Sequence, residues 1–202
     1  MNLPNLLTLS RIPFTFAIVM LVYSRWPGAA TLAFVRFVVC GITDWLDGYV
    51  ARKRGQVSSF GIFMDALTDK IAVLGVLVAL TDARLILPES DVIPVLLFLL
   101  ILTREFMITG MRLVAALQGV VVSAERGGKQ KTITQIIAIG AFLVIPVIER
   151  DLSALTPIDL TPLSSFLRHM AFAFYLLATF LTLFSGARYF LKYRQIFAET
   201  KP

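Results

Sequence analysis

The sequence predicts an all-α integral membrane protein: a six-transmembrane-helix bundle with a short N-terminal interfacial helix. Three observations carry this prediction. Hydrophobic residues make up 57% of the 202 residues and charged residues only 16%, where a soluble domain is about one quarter charged. The mean hydropathy is +0.81. The apolar residues gather in runs near the roughly 20 residues that a membrane-spanning helix needs, with no strand-like alternation of the kind a barrel requires. Together these exclude disorder, a collagen-like fibre, a disulfide scaffold and an ordinary water-soluble globule. The one cysteine, Cys40, lies in an apolar run, can form no intramolecular disulfide, and reads as a small buried hydrophobe.

Each element follows from its apolar run. Residues Asn2 to Ser10 form the interfacial piece, and the first span runs from about Arg11 to Ser24, closed by Trp26-Pro27-Gly28. It has no basic region ahead of it and no small-residue cleavage site after it, so it reads as a retained span. Span two covers about Gly28 to Arg52, span three Gly61 to Thr81, and span four Val92 to Leu117. Span five covers Thr132 to Ile148 and span six Ser165 to Phe190. Helices suit these spans because each satisfies its own backbone polar groups in lipid. No internal repeat is apparent, and residues 1–202 read as one domain.

Charge sets the orientation. The net charge is +6. In a soluble protein that would suggest nucleic acid; here it reads as basic residues held beside anionic lipid or phosphate, with no nucleic-acid partner. One set of connections, with Arg11, carries eleven basic residues, including Arg52, Lys53, Arg54, Arg126, Lys129, Lys131, Arg188 and Lys192; the alternate set carries four, Arg25, Arg84, Arg150 and Arg168. Both termini are therefore expected on the cytoplasmic side of a cell membrane. Arg36, Lys70, Arg104 and Arg112 remain, inside apolar runs.

Four aspartates carry the chemistry. Asp44 and Asp47 stand three apart near the end of span two, and Asp65 and Asp69 four apart near the start of span three. Each spacing puts a pair on one helical face. Consecutive antiparallel helices place both pairs at the same depth, near the cytoplasmic surface. Such carboxylates must protonate, pair with cations or bind metal. Oxygen ligands suit Mg²⁺ or Mn²⁺, and two ions would about neutralise the four charges. Gly48, Ala51 and Gly61 leave room for a substrate beside the backbone, and Arg52 can hold a phosphate by two hydrogen bonds. The plainer alternative is a set of interfacial aspartates paired with Arg52, Lys53 and Arg54.

The string Asp44-x2-Asp47-Gly48-x2-Ala51-Arg52-x8-Gly61-x3-Asp65-x3-Asp69 resembles, at every fixed position, the signature of the CDP-alcohol phosphatidyltransferases. The resemblance implies a six-helix membrane enzyme with a cytoplasm-facing site. It implies that Asp44, Asp47, Asp65 and Asp69 bind two divalent ions, that Asp69 is also the general base, and that Gly48, Arg52 and Ser58 contact the CDP moiety. Asn5-x2-Thr8-x2-Arg11 resembles the family's opening, near the nucleotide and phosphates, which adds Thr8 and Ser10 to the CDP-diacylglycerol contacts. A homodimer is a further implication of the resemblance.

Two more segments bear on the acceptor alcohol. Thr103 to Arg112 in span four and Gly128 to Thr132 at the start of span five resemble segments of the bacterial phosphatidylglycerophosphate synthases. Ala66 stands where many of these have proline. The resemblance implies transfer of a phosphatidyl group from CDP-diacylglycerol to sn-glycerol 3-phosphate, releasing CMP. The residues agree: a doubly negative acceptor needs a basic pocket, and Arg104, Arg112, Lys129, Lys131 and Arg188 can supply it. The alternatives are a structural Arg104–Glu105 pair and lysines that only set topology. Within the enzyme class the rival acceptors are phosphatidylglycerol (as in a cardiolipin synthase), inositol phosphate and serine. From other classes come a divalent cation transporter and an inactive structural membrane protein. His169, far along span six, reads as a surface histidine, and Tyr23 and Trp26 as interfacial anchors.

Overall fold

The computed structural model describes residues 3–53, 59–119 and 127–194, with side chains described except at 3–8, 44–53, 59–62, 65 and 127–129. All regular structure among the described residues is helical. The order is α1 (Leu3–Tyr23), α2 (Ala29–Lys53), α3 (Ser59–Asp82), α4 (Val92–Leu117), α5 (Gly127–Pro146) and α6 (Thr161–Tyr193), with a π-helical turn, Val147–Leu152, extending α5. Ser58 lies outside the described residues. Residues 3–10 are helical, as an interfacial piece requires, and run without a break into the first span. Ala66 sits inside α3 and continues that helix where a proline would remove a backbone donor.

The helices are sorted inside out relative to a soluble protein. On α4, Ile101, Arg104, Ile108, Met111 and Ala115 face the bundle, while Leu96, Leu99, Leu100, Phe106 and Leu117 are exposed. A guanidinium inside and leucines outside is the arrangement lipid favours and water penalises. Among the described residues, three stretches are long and apolar enough to cross a membrane: Val92–Leu117, Gln130–Leu152 and Thr161–Tyr193. Leu9–Tyr23 and Ala29–Thr43 are shorter apolar helices. The chain is an all-helical membrane protein.

The core joins α1, α3, α4, α5 and α6 through Ile18, Leu77, Leu80, Ile101, Phe142 and Tyr175. Phe142 and Tyr175 meet edge to face at 6.1 Å, which sets the antiparallel register of α5 on α6. Gly75 lets α3 approach α1, since a Cβ there would stand 3.3 Å from Thr15 Cγ2.

Hydrogen bonds between elements sort the two ends of the bundle. At one end, Tyr23 donates to Asp82 at 2.7 Å, and Arg168 donates to the Leu85 carbonyl and to Glu149, each at 2.8 Å. There too Asp151 caps the start of α2, accepting from the amides of Gly28 and Thr31 and from the Thr31 hydroxyl. His169 belongs to this end; its Nδ1 pairs with the Ser165 carbonyl, away from the aspartates. Exposed Trp26 and Tyr23 stand here as well. The opposite end gathers the N-termini of α1, α3 and α5 and the C-termini of α2, α4 and α6, and holds the charged site.

Candidate active site

Asp69 is placed by two helices. It lies on α3, and the guanidinium of Arg11, from α1, donates to its Oδ1 at 2.9 Å. Arg11 is nearly buried, at 4% exposure, while Asp69 is 54% exposed. Thr15, one turn on, donates to the Arg11 carbonyl and packs under the pair. The buried cation thus fixes a carboxylate that still faces outward.

That carboxylate stands at the edge of a cavity of about 470 Å³ between α1, α2, α3 and α5. Apart from Arg11, Asp69 and two threonines the lining is apolar or small, including Ile18, Phe37, Cys40, Gly41 and Val73. Cys40 and Gly41 line it from α2, and Asp44 follows them by four and three residues, on the same helical face. Asp65 precedes Asp69 by four on α3 in the same way.

A second group occupies the other side of α3 and α5. Asp69 and Thr132 line the cavity; their chain neighbours Lys70 and Lys131, about 100° round each helix, reach α4. Lys70 Nζ donates to Thr109 Oγ1, and Lys131 Nζ donates to Glu105 Oε1. Arg104 also donates to Glu105 Oε1, at 2.9 Å, and to Ser185 Oγ on α6 at 3.1 Å. Arg112 Nε donates to Tyr189 Oη at 3.3 Å, with the guanidinium carbon 5.7 Å from the ring centre. Among the described residues, Arg104 and Lys131 pair with the Glu105 carboxylate, while Lys70 bonds the Thr109 hydroxyl and Arg112 the Tyr189 hydroxyl.

Arg104, Arg112 and Lys131, expected from the sequence around an acceptor phosphate, are brought together. Arg188 is not: its guanidinium lies 5.7 Å over the ring of Phe184, on the exposed side of α6. Ser10 lies on α1 immediately before Arg11. Asp44, Asp47, Gly48, Arg52, Asp65, Thr8 and Lys129 occupy helical positions, with side chains outside the described set. Two residues take partners that the sequence does not name. In the sequence Arg11 is both a topology charge and the last residue of the Asn5-x2-Thr8-x2-Arg11 string, and the structure adds its pairing with Asp69. Lys70, next to Asp69 in the chain and expected to pair with a neighbouring carboxylate, donates to the Thr109 hydroxyl instead.

The donor set suits a hard divalent cation. Asp69 presents a half-exposed carboxylate at the edge of the cavity, and the helical register puts the positions of Asp44 and Asp65 on the faces that line it. Carboxylate oxygens are the ligands Mg²⁺ and Mn²⁺ prefer.

The inside-out helix bundle carries, at one end, a carboxylate lining an apolar cavity with a group of basic side chains beside it. The sequence matches the profile of the CDP-alcohol phosphatidyltransferases over residues 1–191, and the chain belongs to this family of enzymes. It is 41% identical to the CDP-diacylglycerol–glycerol-3-phosphate 3-phosphatidyltransferase of Bacillus subtilis, over 71% of this chain and 77% of that protein. It is 40% identical to the protein of the same name from Rickettsia bellii, over 71% and 75%. It is also 33% identical to a CMP-forming cardiolipin synthase of Oryza sativa, over 71% of this chain and 46% of that protein.

Proposed function

We propose that this chain transfers the phosphatidyl group of CDP-diacylglycerol to sn-glycerol 3-phosphate, giving phosphatidylglycerophosphate and CMP. The observation that carries the reading is the basic cluster beside Asp69. Among the described residues, Lys70, Arg104, Arg112 and Lys131 outnumber Glu105, the carboxylate placed among them, and a phosphomonoester dianion suits such a cluster. Serine would leave the cluster uncompensated. Phosphatidylglycerol, the acceptor of a cardiolipin synthase, brings a single negative charge and a bulk of two acyl chains. The names of the relatives from Bacillus and Rickettsia agree with the dianionic acceptor.

The residues divide the work as follows. Lys70, Arg104, Arg112 and Lys131 hold the acceptor phosphate, with Lys129 at the start of the same helix as Lys131. Asp69, adjacent to Lys70 in the chain, takes the proton from the acceptor hydroxyl. That oxygen bonds to the lipid-bearing phosphorus as the bond to CMP breaks. Arg11 holds the Asp69 carboxylate in one orientation, so little reorganisation is needed at the reacting moment. Thr8, Ser10, Gly48, Arg52 and Ser58 face the CDP moiety, and the apolar cavity takes the part of the lipid next to its head. Asp44, Asp47, Asp65 and Asp69 would hold two Mg²⁺ or Mn²⁺ ions, whose chemistry when bound is to neutralise pyrophosphate and leaving-group charge. No side chain is required as a nucleophile, so the transfer is a single displacement.

In this reading six helices span a cell membrane, with both termini and the site cytoplasmic, and two copies of the chain form a homodimer. The experiment is purified protein in detergent with CDP-diacylglycerol, Mg²⁺ or Mn²⁺ and a panel of acceptors. CMP release dependent on glycerol 3-phosphate supports the proposal; release only with serine, inositol phosphate or phosphatidylglycerol overturns the acceptor and keeps the family chemistry. Asp69→Asn is expected to abolish transfer with the fold intact, and near-normal turnover would remove Asp69 as the base.

A further inference from the structure

Glu105 is the one acidic residue in the 26-residue helix α4. Its side chain is 16% exposed, and those of Arg104 and Lys131 are less exposed still. One oxygen, Oε1, accepts from both cations, one on its own helix and one on α5. The backbone of Glu105 takes part as well: Thr109 donates to the Glu105 carbonyl at 2.7 Å, and Lys70 of α3 donates to that same Thr109 hydroxyl. Glu105 therefore binds cations of two helices directly and is linked to a third through the Thr109 hydroxyl.

From this geometry we infer that Glu105 is a positioning residue of the acceptor site, acting through Lys131 and Arg104. The inference rests on the acceptor reading given above. Two nearly buried cations at one place repel, and without an anion between them each would turn towards water or another partner. Glu105 holds them together before the substrate arrives. The cluster keeps enough surplus charge that a phosphate dianion still enters favourably. Glu105 touches neither the hydroxyl that attacks nor the phosphorus, so its loss is felt in binding of one substrate.

The test compares wild type, Glu105→Gln and Glu105→Asp as full chains in detergent, with CMP release followed against each substrate in turn. Glu105→Gln is expected to raise KM for glycerol 3-phosphate about tenfold or more, with kcat and the KM for CDP-diacylglycerol within about threefold. Glu105→Asp keeps the charge one methylene further back and is expected to fall between wild type and Gln. A residue serving only structure would lower kcat or yield without this split between the substrates. An unchanged KM for glycerol 3-phosphate in Glu105→Gln overturns the inference, as does an equal rise in both KM values. Should the Gln variant not fold, an unchanged acceptor KM in Glu105→Asp overturns it. If wild type itself releases no CMP with glycerol 3-phosphate, the acceptor reading fails and takes the inference with it. Wild-type turnover with unaltered variants removes only the role of Glu105.

Discussion

Arg11 Nη1 lies 2.9 Å from Asp69 Oδ1, joining a nearly buried guanidinium of α1 to a half-exposed carboxylate of α3 across 58 residues of sequence. The cation is held by the core and the anion is offered outward. This pairs a buried cation with the side chain assigned to proton transfer.

Arg11→Ala removes that hold. Turnover at saturating substrates is expected to fall about hundredfold, the size of effect that loss of a fixed reacting geometry produces. Arg11→Lys is expected to recover only part, because an ammonium cannot reproduce the guanidinium's planar donor fork. Steady-state CMP release measures both. Full activity in Arg11→Ala would show that Asp69 needs no orientation from α1.

Gly186 is the place where Arg104 crosses α6. A Cβ there would stand 2.8 Å from Arg104 Cγ and 3.2 Å from its Nε. The obstructing atom is the middle of the side chain, so the whole arginine must move. Gly186→Ala is expected to cost about 1–3 kcal/mol in stability, as overpacking of a filled interior does, and to raise KM for glycerol 3-phosphate. Thermal melting in detergent and the acceptor titration check the two parts separately.

Asp151 offers a contrast at the far end. Its carboxylate accepts from the Gly28 amide at 3.0 Å and the Thr31 amide at 2.8 Å, satisfying donors that the first turn of α2 leaves open. Asp151→Ala is expected to lower stability by about 1 kcal/mol while KM for either substrate stays put. A change in acceptor KM would mean that the two bundle ends are coupled.

The helices were legible because each apolar run approaches membrane length. Val92–Leu117 was read from sequence with the ends the structure gives it. The turn at Val147–Leu152 was not, since a π-helical extension past Pro146 carries no signal in composition. The helical positions of the four aspartates, on α2 and α3, agree with the three- and four-residue spacings, and of the four side chains Asp69 is the one the structure describes. Arg188 shows the limit of that logic. It lies at the correct bundle end and in the correct helix, but two residues past Gly186 it is turned to the exposed side over Phe184. Arg11 shows the converse: its string places it near the phosphates, and the packing of α1 on α3 supplies its partner, Asp69. The bundle end at which a cation lies follows from its place along a helix, and its facing is settled by tertiary packing.

The central claim is the transfer itself, and the product tests it most directly. Purified full-length protein with CDP-diacylglycerol, Mg²⁺ and labelled glycerol 3-phosphate is predicted to form labelled phosphatidylglycerophosphate and CMP in equal amounts, and to stop when the metal is chelated. Label remaining in glycerol 3-phosphate while CMP appears with another alcohol would contradict the account.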